Sequence, residues 1–210
     1  MSKAFSGRAG ILLPLVFLFA CAGCASSPPT RFYQLSSMRA NSADLGETKT
    51  AGRPGIVMVG PVQIPDYLDR PQIVTVSGKN RLKLAEFDRW GGSLDKDTAR
   101  VLVEDMSAFL PPSRFQVTPW TFYWAPLPFR YRVGVNIIRF EGAPGKTVLL
   151  KAQWVIYDKE RRIRLQRESA ITEEVRGNTY GSIVASMSRA LADLGKEMAG
   201  SVMSLKSTEK

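Results

Sequence analysis

The side chains best suited to chemistry in this 210-residue chain lie in one short segment, which contains Asp66, Tyr67, Asp69 and Arg70. The planar guanidinium of Arg70 can donate paired hydrogen bonds to a carboxylate or a phosphate. Prolines at positions 65 and 71 bound the segment and restrict its backbone. We therefore expect an exposed 65–71 loop whose two carboxylates, phenol and guanidinium grip a partner or a neighbouring copy of the chain.

A second interpretation of the 65–71 loop is open. The same charges could brace the fold internally, with Asp69 or Asp88 paired with Arg70 or Arg89. Acid–base catalysis is not predicted, because it needs two carboxylates that face one cleft in different environments. Two aspartates in a short, proline-bounded loop give no sign of such a cleft.

The composition excludes several kinds of site. The chain has no His, and its two Cys, Cys21 and Cys24, lie close to its first residue. This excludes Ser-His-Asp and Cys-His catalysis, zinc or haem held by His, and a domain stapled by disulfides. We predict a protein that is not an enzyme, with no metal site and no cofactor beyond covalently attached lipid.

The first 23 residues have the pattern of an export signal. Two basic residues precede an apolar run, residues 11–20, which is shorter than the roughly 20 apolar residues that a membrane span needs. Small residues then lead to Cys24, and this sequence resembles the bacterial lipobox, whose Cys is acylated. We expect a diacylglycerol on the thiol of Cys24 and an acyl chain on its new amine. Cys21 is the alternative acylation site.

After the signal we expect one domain on a membrane tether. We assign residues 24–31 to the tether, residues 32–206 to the domain and residues 207–210 to a frayed tail. Ala25 replaces the Asp that many Gram-negative bacteria use for inner-membrane retention, so by analogy we expect the periplasmic face of the outer membrane. An exported chain does not meet nucleic acid. The densest basic run, residues 159–167, is a candidate for contact with anionic lipid headgroups or an acidic partner, and the alternative is a solvated hairpin tip.

Hydrophobic periodicity predicts the elements of the domain. Period-two alternation indicates three antiparallel strands between residues 131 and 171, and a hairpin with arms at 72–76 and 81–87. Apolar residues at three- and four-residue steps indicate helices over 94–110 and from about 180 to 205. The predicted fold is α+β: a single domain whose antiparallel-rich sheet carries two long amphipathic helices.

An aromatic, proline-rich segment begins at Trp120. It holds six aromatic residues within positions 120–131. Rings with a polar handle favour interfaces and membrane surfaces, so Trp120 and Trp124 are candidates for lipid or partner contact. The alternative is a loop folded over the core.

Five stretches of the chain resemble the PqiC/YmbA family of ABC-type transport auxiliary lipoproteins: residues 27–35, 59–74, 84–90, 139–142 and 150–154. The resemblance covers nearly the whole chain after the signal. Its most specific part is the Ile-Pro-x-Tyr-Leu-Asp-Arg-Pro stretch within residues 59–74. The Cys at position 21 and the aromatic segment depart from the family pattern.

This resemblance implies a role in lipid transport between membranes and in envelope integrity. Members accompany MCE-domain proteins, which form periplasmic tunnels for lipid, together with inner-membrane transporter subunits. The lipoprotein sits on the outer membrane and docks the end of the tunnel, where a homo-oligomeric ring would suit its position. The alternative is a stand-alone lipid- or small-ligand-binding lipoprotein auxiliary to a different ABC exporter.

Overall fold

The computed structural model describes residues 27–38, 54–120 and 128–208, which hold eight strands and two helices. In chain order the elements are β1 (Arg31–Tyr33), β2 (Gly55–Gln63), β3 (Gln72–Val76), β4 (Leu82–Trp90), α1 (Leu94–Phe109), β5 (Phe115–Pro119), β6 (Tyr131–Gly142), β7 (Thr147–Asp158), β8 (Ile163–Glu174) and α2 (Tyr180–Thr208). Both helices and the α+β class agree with the sequence analysis. Cys21, Cys24 and Trp124 lie outside the described residues.

The strands form one mixed sheet, and this corrects the expected antiparallel-rich sheet. Within the described residues, four of the seven strand pairings are parallel: β1 with β4, β2 with β5, β2 with β6, and β3 with β6. The predicted hairpin β3–β4 and the meander β6–β7–β8 are antiparallel, as expected. Alternation along a strand reports which face is buried, but it carries no information on the direction of a neighbour from elsewhere in the chain. The parallel pairings were missed for that reason.

Both helices pack on one face of the sheet. The alternating residues Val133, Val135, Leu150 and Trp154 are buried beneath them, none more than 3% exposed. Helix α2 contacts β6, β7 and β8, while α1 contacts β2, β5 and α2. The helices approach closely at Gly195, where an added Cβ would lie 3.1 Å from Cβ of Asp105. Burial of these apolar side chains, each worth about 1.5–3 kcal/mol, is the main stabilising term of the fold.

The opposite face of the sheet carries no helix in the described part of the chain. The residues of β6 and β7 that alternate with the core point to this outer face, as named from here on. Apart from Glu141, which is buried, they are half-buried or exposed: Arg132, Gly134, Asn136, Leu149, Lys151, Gln153, Val155 and Tyr157. A face of this composition is too polar for a second core layer.

A charged clamp fixes β1 to β4. Arg31 Nε and Nη2 donate to the two carboxylate oxygens of Asp88 at 2.8 and 2.9 Å, and the Tyr33 hydroxyl donates to Oδ1 at 2.7 Å. The Asp88 side chain is only 5% exposed. The hydrogen bonds from Arg31 lower the pKa of Asp88 below its ordinary value, and burial only partly opposes them. Asp88 therefore pairs with Arg31, and the brace through Asp88 to Arg70 or Arg89 is not formed.

The clamp makes stability depend on pH in the acidic range. Because the pKa of Asp88 is lower in the folded chain than in the unfolded one, its contribution is present above the unfolded value of about 3.9 and is lost as pH falls through the folded value. We expect the free energy of unfolding, measured by urea titration, to fall less steeply below pH 4 in Asp88→Asn than in wild type. Glu86→Gln, an exposed carboxyl on the same strand, is the control. Equal slopes in all three proteins would contradict the role given to Asp88.

Candidate functional site

The 65–71 loop lies beside β6, where the strand that pairs with one edge of β6 changes from β2 to β3. Strand β2 pairs with β6 as far as Gln63 opposite Asn136, and β3 takes over at Thr75 opposite Gly142. The loop bridges β2 and β3, and turn hydrogen bonds fix it, including Leu68 N–H to the Pro65 carbonyl at 2.8 Å. Leu68 is 2% exposed and anchors the loop in the core. The loop is therefore a rigid feature of the sheet surface.

Tyr67 attaches the loop to the outer face. Its hydroxyl donates to Glu141 Oε2 at 2.6 Å, and Arg139 forms an ion pair with the same carboxylate at 2.7 Å. Glu141 is opposite Leu149 and one residue from the core residue Phe140, so it belongs to the outer face. Glu141 is nevertheless only 3% exposed. Burial raises the pKa of Tyr67, and its bond to Glu141 raises it further, so the phenol remains a donor.

The loop presents its charged side chains without internal partners. Asp66 and Asp69 are exposed, and no salt bridge within the described residues joins Arg70 to Asp69 or Asp88. Arg70 is half-buried, and its Nε is buried without a hydrogen-bond partner. The loop is thus braced through Tyr67 and Leu68, while both carboxylates and the outer end of Arg70 are free for an external contact.

Arg132 forms a second feature of the outer face. Its guanidinium lies 4.6 Å from the ring centroid of Trp120 and 5.0 Å from that of Tyr157. Such stacking holds an arginine in place while its N–H groups remain able to donate. Trp120 can approach because Gly60, at φ +120°, has no side chain: an added Cβ would lie 3.0 Å from Cβ of Trp120.

A shallow open groove of about 270 Å³ runs beside Arg132. Its polar lining is dominated by amides, which come from Gln63, Asn136, Gln153 and Gln166. Amides and a guanidinium can pair with backbone and side-chain polar groups of a protein, whereas an acyl chain would leave them unsatisfied. The groove therefore suits a polar macromolecular surface better than a lipid tail.

The two segments that the sequence singled out frame this face. Trp120 lies over Arg132, near the start of β6, and Tyr67 lies over Glu141, near its end. Sequence analysis missed Arg132, Glu141 and the groove amides. The outward positions of β6 and β7 did show polar residues, and their alternation with the core residues was the available signal.

In the described residues no helix is long and apolar enough to cross a membrane. The same part of the chain holds no group of three or more acidic, Cys or His side chains placed to bind a metal ion.

Within the described residues the fold is a small α+β domain with one sheet face that carries no helix. Residues 33–199 match the family described as the ABC-type transport auxiliary lipoprotein component, and the chain belongs to that family. The resemblance found in the sequence is thereby confirmed. Membership of a lipoprotein family implies anchoring to a membrane, and the family is an auxiliary one in transport.

Solved structures share the fold at low sequence identity. One is titled as an uncharacterized protein; it has 18% identity and a TM-score of 0.67, over 83% of this chain and 99% of that one. Another is a DUF330 family protein from Xanthomonas campestris, with 11% identity and a TM-score of 0.64, over 86% of this chain and 98% of that one. No curated protein sequence is significantly similar to the chain.

The hydrogen bond from Tyr67 to Glu141 gives a direct test of whether Tyr67 braces the loop. Tyr67→Phe leaves the buried Glu141 carboxylate without one of its donors, so we expect the free energy of unfolding to fall by about 1–3 kcal/mol in urea titration. Tyr157→Phe is the matched control, because that phenol is also half-buried on the outer face but contributes its ring to Arg132. Equal stability of both variants and wild type would show that Tyr67 does not brace the loop.

Proposed function

We propose that this protein is an outer-membrane-anchored periplasmic lipoprotein that docks onto an MCE-domain tunnel of an intermembrane lipid-transport system. The observation that carries the proposal is the outer face, which no helix of the described residues covers and which the 65–71 loop and Trp120 frame. Membership of a transport auxiliary lipoprotein family supports it.

The outer face has the composition of a protein-binding surface. Arg, Trp and Tyr are the residues that most often dominate binding energy, and here Arg132, Trp120 and Tyr157 lie together on one face. Arg70 lies in the adjoining 65–71 loop. The three 12-residue strands β6–β8 span about 40 Å by about 14 Å, or roughly 550 Å². A standard interface buries about 800 Å² on each partner. The loop and Trp120 are therefore needed to complete the interface.

The anchor in this proposal is the acylated Cys24, with residues 24–31 as the tether. Each buried CH₂ group adds about 0.8 kcal/mol of membrane affinity, so a diacylglycerol and an N-acyl chain together hold the domain firmly on a bilayer. Ala25 directs sorting to the outer membrane in this account. The protein acts by binding, with no catalytic step of its own.

One observation favours a second candidate, a lipoprotein that itself binds lipid or another small ligand for a different ABC exporter. An open groove of about 560 Å³ lies between β1 and the start of α1, lined by Phe32, Gly91, Lys96 and Arg100 among others. Phe32 is 66% exposed there. An amphiphile could place its apolar part on Phe32 and an anionic head against Lys96, since Arg100 is already paired with Asp97 and Glu104. Lipid bound non-covalently to the purified protein would favour this candidate.

The docking function predicts a partner that depends on Arg70. We expect affinity purification of the tagged, acylated protein from mildly solubilised envelopes to recover an MCE-domain protein. Loss of an interface arginine that contributes about 2 kcal/mol lowers affinity about thirtyfold, so Arg70→Ala should strongly reduce recovery of the partner without changing the melting temperature. Arg114→Ala, another exposed arginine, is the control.

Two results would contradict this docking function. One is clean recovery of the lipoprotein without an MCE-domain protein from cells that express one. The other is full recovery of the partner with Arg70→Ala. A large fall in the melting temperature of Arg70→Ala would instead show that Arg70 stabilises the fold.

A further inference from the structure

The tip of the β3–β4 hairpin is both basic and apolar. Lys79, Arg81 and Lys83 are exposed there, and Leu82 and Leu84 project from the same hairpin with 44% and 45% of their surface exposed. Exposed leucines next to unpaired cations are costly in water but suit the boundary between lipid headgroups and acyl chains. The hairpin is thus unlike the outer face, where Lys151 is paired with Glu168 at 2.9 Å and amides line the groove.

Two further cations lie at the same end of the molecule. Strand β3 runs parallel to β6, with Thr75 opposite Gly142, so the hairpin tip and the β6–β7 turn project in the same direction. That turn carries Lys146, whose carbonyl accepts a hydrogen bond from Val175 N–H at 2.8 Å, and this bond brings Arg176 alongside.

These five exposed cations form what we call the basic end: Lys79, Arg81, Lys83, Lys146 and Arg176. Within the described residues none of the five is in a salt bridge, while the carboxylate of Glu173 near this end pairs with Arg189. Glu174 is an exposed carboxylate at the same end. The end therefore has an excess of positive charge, whose attraction for an anionic surface acts over about one Debye length, roughly 8 Å at physiological ionic strength.

The chain before β1 leads towards this end. Strand β1 runs parallel to β4 with Arg31 opposite Asp88, so residues that precede Arg31 continue in the direction of the hairpin tip. Prolines at positions 28 and 29 favour an extended backbone of about 3.1 Å per residue, so seven residues of tether before Arg31 can reach about 22 Å. The seven residues of strand from Asp88 back to Arg81 span about 23 Å. The reach of the tether thus matches the length of β4.

We propose that the basic end lies flat on a bilayer that contains anionic lipids, with the five cations on lipid phosphates and with Leu82 and Leu84 in the interfacial region. This inference rests on the acyl anchor of the proposed function, and it adds an orientation to that anchor. Strands β6–β8 then run away from the membrane for about 40 Å, and the outer face is presented sideways into the periplasm. The β7–β8 turn lies at the far end.

A dye at the hairpin tip tests the orientation in the acylated, full-length protein. Acylation blocks the thiol of Cys24, so a new cysteine can be labelled alone. Asn80→Cys places an environment-sensitive fluorophore at the hairpin tip, and Glu160→Cys places the same dye at the far end. In vesicles with about 30% phosphatidylglycerol we expect the emission at position 80 to blue-shift and at least double relative to phosphatidylcholine vesicles. Position 160 should not respond. Salt at about 0.5 M, or the triple change Lys79→Glu, Arg81→Glu and Lys83→Glu, should abolish the response.

The control variant reverses charge at the far end: Lys159→Glu with Arg161→Glu should leave the dye at position 80 unaffected. An unchanged dye at position 80 in protein that floats with the vesicles would overturn the membrane contact while leaving the anchor intact. A response at position 160 instead would overturn the orientation. An equal response to soluble polyglutamate without vesicles would assign the basic end to an acidic protein, against the proposal. Protein that does not float with vesicles would contradict the acyl anchor itself.

Discussion

Strand β6 must satisfy the backbone hydrogen bonds of one edge with two different partners. It pairs with β2 over its first part and with β3 at its end, and its other edge is filled by β7. The change of partner coincides with a register shift between Ile137 and Arg139, and it leaves the chain between β2 and β3 to cross the sheet surface as the 65–71 loop. Buried Glu141 lies directly after this shift and receives the Tyr67 hydroxyl. The loop therefore lies where it does because β2 and β3 pair in turn with the same edge of β6.

The two faces of the sheet have separate roles because all the helix packing is on one of them. Helices α1 and α2 bury the apolar alternation of β6 and β7, and this supplies the stability of the domain. The outer face can then carry Arg132, its flanking rings and a row of amides without weakening the core. The basic end adds a third surface, perpendicular to both. In the proposed arrangement one surface meets a membrane and another meets a partner, which would suit the auxiliary role in transport of the family.

The sequence predicted the structure correctly where the environment of a residue depends on its neighbours along the chain. The stripe that includes Val101, Leu102 and Met106 predicted α1, and the alternation around Val133 and Leu150 predicted the meander. Contacts between distant residues had no such signal. Tyr67 and Glu141 are 74 positions apart, and Arg31 and Asp88 are 57 apart, so their pairing depends on strand order. Hydrophobic periodicity could not predict strand order or parallel direction either. The pattern of buried residues along β2 is the same whether its neighbours run parallel or antiparallel to it.

The central claim is that the outer face, and not the helices, meets the transport partner. Photo-crosslinking in living cells tests it most directly, with a photoreactive amino acid at position 153 or 166 on the outer face and at Asp193 or Lys196 on the exposed side of α2. The account predicts a crosslink from positions 153 and 166 to an MCE-domain protein, and none from positions 193 and 196. Crosslinks to that protein from α2 alone would contradict it.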